Sequence, residues 1–80
     1  MELKNGSVVR SIKGRDKNRL MCVIDVCENR IMVCDGKERP LERAKAKNPK
    51  HIVSVEKELL PEHLGSNKAI KKALKIISEA

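Results

Sequence analysis

The sequence predicts a mainly β protein, a small barrel of about five strands followed by one C-terminal amphipathic α-helix. Three observations point there. Short apolar runs separated by turn-forming residues recur along the first two thirds of the chain. The 80 residues include no Phe, Tyr or Trp, so the core must come from Val, Ile, Leu, Met and Cys, which favours a small closed body. Beyond Pro61 the apolar spacing changes from strand-like alternation to a helical period. A chain of this length makes one domain and buries only about 60% of its unfolded surface. A pocket of roughly 300 Å³ or more is not expected from so thin a core. That argues against a metabolic enzyme.

The elements follow in order. Met1 to Asn5 form a short polar lead. Gly6 opens an extended run, Ser7 to Ile12, read as the first strand. Lys13 to Arg19 is a loop, with Gly14, Asp16 and Asn18 to supply turn geometry. Leu20 to Cys27 carries the strongest strand signal. Cys22, Ile24 and Val26 share one face and Met21 and Val23 the other, as expected for a strand inside a tight barrel. Glu28-Asn29-Arg30 turns the chain into a returning strand, Ile31 to Cys34. Asp35-Gly36 is a second turn. Lys37 to Glu42 reads as a short fourth strand, with Pro40 suiting an edge or a bulge. Arg43 to Lys50 is a basic loop, and His51 to Val55 the last strand. These readings divide the chain into a barrel over 1–56, a linker over 57–66 and a helix over 67–79.

Ser66 or Asn67 can cap that helix. Ile70, Ala73, Leu74 and Ile77 fall on one face, which the barrel or a partner must cover. Lys68, Lys71, Lys72 and Lys75 fall on the opposite one, free to meet phosphate.

The formal net charge is +7. So strong a bias on so small a domain makes a polyanion, RNA first, the expected partner, through counterion release. The three cysteines, Cys22, Cys27 and Cys34, form no CxxC pair. With no secretory apolar segment and no run long enough to span a bilayer, a reducing cytoplasm is expected. Cys22 and Cys34 lie inside apolar runs and are read as core residues rather than metal ligands, so no metal site is expected. Neither His51 nor His63 sits in a motif with catalytic mechanics, so no catalytic residue and no cofactor are expected.

Several segments stand in a telling order. Gly6-Ser7-Val8-Val9, Lys13-Gly14-Arg15-Asp16-Lys17, Cys22-Val23-Ile24-Asp25-Val26 and Val33-Cys34-Asp35-Gly36-Lys37 together resemble the KOW motif, a strand–loop–strand unit. Arg43-Ala44-Lys45-Ala46-Lys47-Asn48-Pro49-Lys50-His51-Ile52 resembles the basic segment of small bacterial KOW-domain RNA-binding proteins. Those are themselves similar to the KOW-bearing large-subunit ribosomal proteins of archaea and eukaryotes, the fourteen-e class. Asn67 to Leu74 looks like that bacterial family's closing helix. The resemblance covers roughly residues 4–75. Where the loop of the family carries Gly, this chain has Asn18, a residue that tolerates positive φ. The resemblance implies an SH3-like barrel whose Gly-rich loop and adjacent basic loop contact RNA backbone, ribosomal RNA in the ribosomal relatives. Carried onto this chain, the contact residues are Lys13, Gly14, Arg15, Lys17 and Arg19 in the first loop. In the second they are Arg43, Lys45, Lys47, Lys50 and His51.

The expected function is therefore RNA binding by a non-enzymatic, ribosome- or rRNA-associated protein, with ribosomal proteins as possible neighbours in a ribonucleoprotein of translation. No membrane and no small-molecule substrate are expected. Without aromatic side chains on which to stack bases, binding is expected to be backbone- and shape-directed, favouring structured RNA. Asp16 is expected to hold its own turn through a local side-chain bond. The rival reading is a KOW protein-interaction module that docks a transcription or translation factor on the apolar helix stripe.

Overall fold

The structure, a computed structural model, describes residues 3–79, so the polar lead read at Met1 to Asn5 lies partly outside the described residues. Five strands, β1 (Ser7–Ser11), β2 (Leu20–Val26), β3 (Ile31–Cys34), β4 (Lys45–Lys47) and β5 (Ile52–Glu58), precede one helix, α1 (Asn67–Glu79). They form a single antiparallel sheet in the order β4-β3-β2-β1-β5. The architecture is the mainly β body with a closing helix that the apolar pattern predicts.

The sheet is buried on both faces, which is why β2 has apolar residues on both. Register places Val8 opposite Cys22 and Cys22 opposite Cys34. Residues opposite one another share a face. That row packs with Leu59 and with Ile70, Ala73 and Leu74 of α1. The alternate residues, Val9, Met21, Val23, Ile31, Val33 and Ile52, form a second cluster on the concave side. Met21, with three rotatable bonds, is among the largest fully buried side chains and fills space that an aromatic ring would take in a larger core.

Two irregularities bend the sheet. Val23 opposes Val33 but Asp25 opposes Met32, so Ile24 is an extra residue on β2. The bulge changes the phase: Val26 then opposes Ile31 instead of sharing the face of Cys22, and ends 45% exposed. On β5 the register jumps between Val8 and Val9, skipping Val55 and Glu56. Glu56 sits at φ 58°, with its amide donating to Ser54 Oγ at 3.1 Å. The two bends let the sheet curl. Its ends are drawn together where a 3₁₀ turn, Pro49–His51, joins β4 to β5: the Ile12 amide donates to the His51 carbonyl at 2.9 Å.

One strand is not where the sequence pattern puts it. Lys37 to Glu42 is not a strand. The Asp35 carboxylate accepts the amides of Lys37 and Arg39, both at 2.9 Å, which coils that segment into a turn. Pro40 then leads into a 3₁₀ turn at Leu41–Arg43. The fourth strand lies instead within the basic segment, where Lys45, Ala46 and Lys47 pair with Val33, Met32 and Ile31. The last strand also runs beyond Val55, to Glu58.

Helix α1 begins under a Ser66 cap, whose Oγ accepts the Ala69 amide at 3.1 Å. Asn67 ties its start to the 3₁₀ turn at Leu41–Arg43: Oδ1 accepts the Leu41 amide and Nδ2 donates to Glu42 Oε1, both at 2.7 Å. The stripe Ile70, Ala73 and Leu74 is buried against the barrel, with Ile77 partly buried beside it. The docking depends on Gly36, at φ 78°. A Cβ there would lie 2.2 Å from the Asn67 carbonyl oxygen and 3.0 Å from the Lys71 amide, both backbone atoms. Gly36→Ala is therefore expected to destabilise the fold by about 2 kcal/mol or more. Urea unfolding of the two proteins side by side measures it.

Candidate nucleic-acid interface

The first basic loop is a pair of interlocked turns. The Lys17 amide donates to the Gly14 carbonyl at 3.2 Å and the Arg19 amide to the Asp16 carbonyl at 2.9 Å. Gly14, at φ 80°, and Asn18, at φ 70°, occupy the left-handed region, so Asn18 does adopt the conformation for which glycine is the usual residue. The Asn18 amide and the Arg19 carbonyl return to Ser11, at 2.7 and 3.1 Å, closing the loop on the end of β1.

The local side-chain bond expected of Asp16 is not formed: its turn is closed by its backbone carbonyl, and its Oδ2 has no hydrogen-bond partner. Its carboxylate is buried beneath the loop, and cations from three segments converge on it. The Lys47 ammonium lies 3.3 Å from Oδ2, the Arg39 guanidinium 3.4 Å from Oδ2 and Arg19 Nε 4.0 Å from Oδ1. Burial alone would raise the Asp16 carboxyl, but the close contacts and charges of Arg39 and Lys47 outweigh it and hold the group below its usual value. Arg19 also reaches Asp35 at 3.1 Å and Glu38 at 3.9 Å. The Asp35 contact is the leading cause that raises the Arg19 guanidinium still further and keeps it charged. Asp16, Asp35 and Glu38 thus offset Arg19, Arg39 and Lys47 in one network that stitches loop, turn and edge strand together. Sequence reasoning gave Asp16 and Asp35 only local turn roles; their pairing with distant cations, and the part of Arg39 and Glu38, escaped it. Their only visible signal was an acidic residue inside each of two basic or turn segments.

Lys47 brings the two loops together. It shares the face of its partner Ile31, and its ammonium donates to the Lys13 carbonyl at 3.4 Å while pairing with Asp16. Lys50 and His51 follow directly, on the 3₁₀ turn bonded to Ile12 at the mouth of the first loop. His51 is half-buried, its carbonyl helping to close the barrel. Of the cations expected to meet RNA, the structure locks Arg19 and Lys47 into carboxylates. Lys13, Arg15, Lys17, Arg43, Lys45 and Lys50 are exposed and make no ion pair among the described residues. Arg43 stands apart. It follows the segment tied to the start of α1, and no described contact joins it to the first loop.

The lysine stripe of α1 is divided. Lys71 and Lys75 face a cleft between helix and barrel that they line with Arg10 and Lys37, whereas Lys72 borders a separate groove beside His63 and Ile76. The cleft is an open surface groove rather than an enclosed pocket. Helix α1 seats on the row of Val8, Cys22 and Cys34, and the cleft lies beside that seat, between Lys71, Leu74 and Lys75 of the helix and Arg10 and Leu20 of the sheet. Cys22 and Cys34 face each other at 3.7 Å in the core; that contact and burial push the Cys22 thiol well up, so it stays neutral. Cys27 is exposed. Among the described residues no three His, Cys, Asp or Glu side chains are grouped to hold a metal ion, and no helix is long and apolar enough to cross a membrane.

No protein-family model matches the chain, and a search of curated proteins finds no match.

Replacing Asp16 leaves buried cations without their counter-charge. Asp16→Asn is expected to cost about 3 kcal/mol at neutral pH. Because the folded carboxyl lies below its ordinary value of 3.8, its contribution is present above that pH and is lost as pH falls through the folded value. Acid unfolding followed by circular dichroism is expected to show a weaker dependence below about pH 4 in the variant than in the wild type.

Proposed function

We propose that this protein binds structured RNA through its sugar–phosphate backbone, as a non-enzymatic component of a cytoplasmic ribonucleoprotein, with ribosomal RNA as the leading candidate. One observation carries the reading: Lys47 bridges the two basic loops, leaving Lys13, Arg15, Lys17 and Lys50 exposed and free of carboxylates on neighbouring segments. Cations held on a rigid platform, their side-chain heads free, suit phosphates, which need point charges and planar forks at the surface. The internal network takes up three cations against three carboxylates, so it removes none of the net charge of +7. The KOW resemblance supports the same reading from its loop residues.

The absence of Phe, Tyr and Trp favours folded or duplex RNA over a free single strand. The rival reading, docking of a protein factor on the helix stripe, finds Ile70, Ala73 and Leu74 already buried on the barrel.

Titration of a fluorescent RNA hairpin across a salt series tests the proposal. The wild type is expected to bind with a steep slope of log K against log[salt]. Arg15→Glu with Lys17→Glu is expected to weaken binding at least about tenfold and to flatten the slope by about 0.7–0.9 for each phosphate no longer neutralised. Affinity that does not respond to these changes removes the reading.

A further inference from the structure

We infer that the cleft between α1 and the barrel is a second seat for RNA backbone, continuous with the first loop; the inference rests on the RNA-binding reading above. Four cations from three elements line it: Arg10 on β1, Lys37 in the turn after β3, and Lys71 and Lys75 on α1. None of the four is ion-paired with a carboxylate among the described residues. Asp35 is the one carboxylate in the lining, and it is already engaged, by Arg19 and by the amides of Lys37 and Arg39. Walls that carry like charge repel across a groove and concentrate a polyanion within it. Arg10 is also held in place: Nη1 donates to the Asn18 carbonyl at 2.9 Å, leaving its other N–H groups to face the cleft.

Leu20 and Leu74 supply an apolar floor between these charges. A sugar–phosphate chain matches that arrangement, with phosphates toward the cation-bearing walls and the apolar edge of the ribose on the leucines. The cleft is open to solvent, so a continuous chain can lie along it without being enclosed. Asn18 belongs both to the cleft lining and to the first loop, so a strand that meets Arg15 and Lys17 reaches the cleft without leaving the surface. Lys68 and Lys72, on the same helix, do not line the cleft.

That division of the lysine stripe provides the test. The intact protein carrying Lys71→Glu with Lys75→Glu is compared with Lys68→Glu with Lys72→Glu, which changes net charge by the same amount on the same helix. Binding of the RNA hairpin is measured at several salt concentrations. The first pair is expected to lower affinity about tenfold or more and to reduce the salt slope by about 1.4–1.8, as two phosphates go unneutralised, with a markedly smaller effect from the second. Equal effects from both pairs would show that only net charge matters and would overturn the inference. So would an unchanged affinity in the first pair while the Arg15 and Lys17 changes still abolish binding, an outcome that leaves the proposed function standing. A wild type that binds no structured RNA defeats both. All four lysines are exposed, and thermal unfolding checks each variant; Lys71→Gln with Lys75→Gln replaces the first pair should its glutamates unfold the helix, and is expected to act in the same direction.

Discussion

The Asp16 carboxylate is the constraint on which the functional surface depends. It is buried, and a buried carboxylate is costly unless cations reach it. Lys47 and Arg39 reach it from segments far away in sequence, and each is itself largely withdrawn from water. Such a cluster adds little net stability relative to an apolar one of the same shape, but removing a partner from the observed arrangement is strongly destabilising. Loop, turn and edge strand must adopt that arrangement together or leave charges unpaired. The network therefore positions the loops by excluding alternatives, and it decides which cations are internal and which face outward.

The sheet beneath solves a different problem. A chain without aromatic side chains has little bulk with which to fill a barrel. Burying the sheet on both faces makes short strands of Val, Met, Cys and Ile contribute twice, to the concave cluster and to the layer under α1. This makes the helix part of the core. Its approach is limited by the Gly36 turn, where backbone meets backbone, and the same turn carries Asp35, which anchors Arg19. Helix docking and loop placement thus meet within two adjacent residues.

Much of the fold was legible in the sequence because burial writes itself as periodicity. The strands read at Ser7 to Ile12, Leu20 to Cys27 and Ile31 to Cys34, of which the first two end one residue earlier in the structure, and the stripe Ile70, Ala73, Leu74 and Ile77 all follow from apolar spacing. The fourth strand did not, for a physical reason. Lys45, Ala46 and Lys47 have no apolar pattern; they pair because the edge of β3 offers unpaired backbone groups, a tertiary cause. Lys37 to Glu42 misled because one carboxylate, Asp35, captures two amides that an extended strand would have presented to a neighbour. The candidate site divides the same way. Which residues are cationic is written in the chain, but which of them a carboxylate neutralises is decided by three-dimensional proximity. Arg19 and Lys47 look no different in sequence from Arg15 and Lys45. The cleft was hidden for the same reason, since its lining comes from β1, β2, the turn after β3 and α1, which only the folded chain brings together.

The placement of cations limits how selectivity could arise. Lys and Arg side chains that meet only phosphates distinguish sequences poorly, since every nucleotide presents the same group. They distinguish shapes well, because phosphate positions change with helix geometry, bulges and turns. On the proposed reading the first loop lies between two cationic surfaces, with Lys47 bridging it to Lys50 on one side and Asn18 bordering the cleft of Arg10, Lys37, Lys71 and Lys75 on the other. Both surfaces are fixed, one by the Asp16 network and one by the seat of α1 on Gly36. An RNA occupying both must carry its backbone across the first loop at a set curvature. Selection would then rest on the shape of the RNA, and the rigidity of these two junctions would set how sharply it is made.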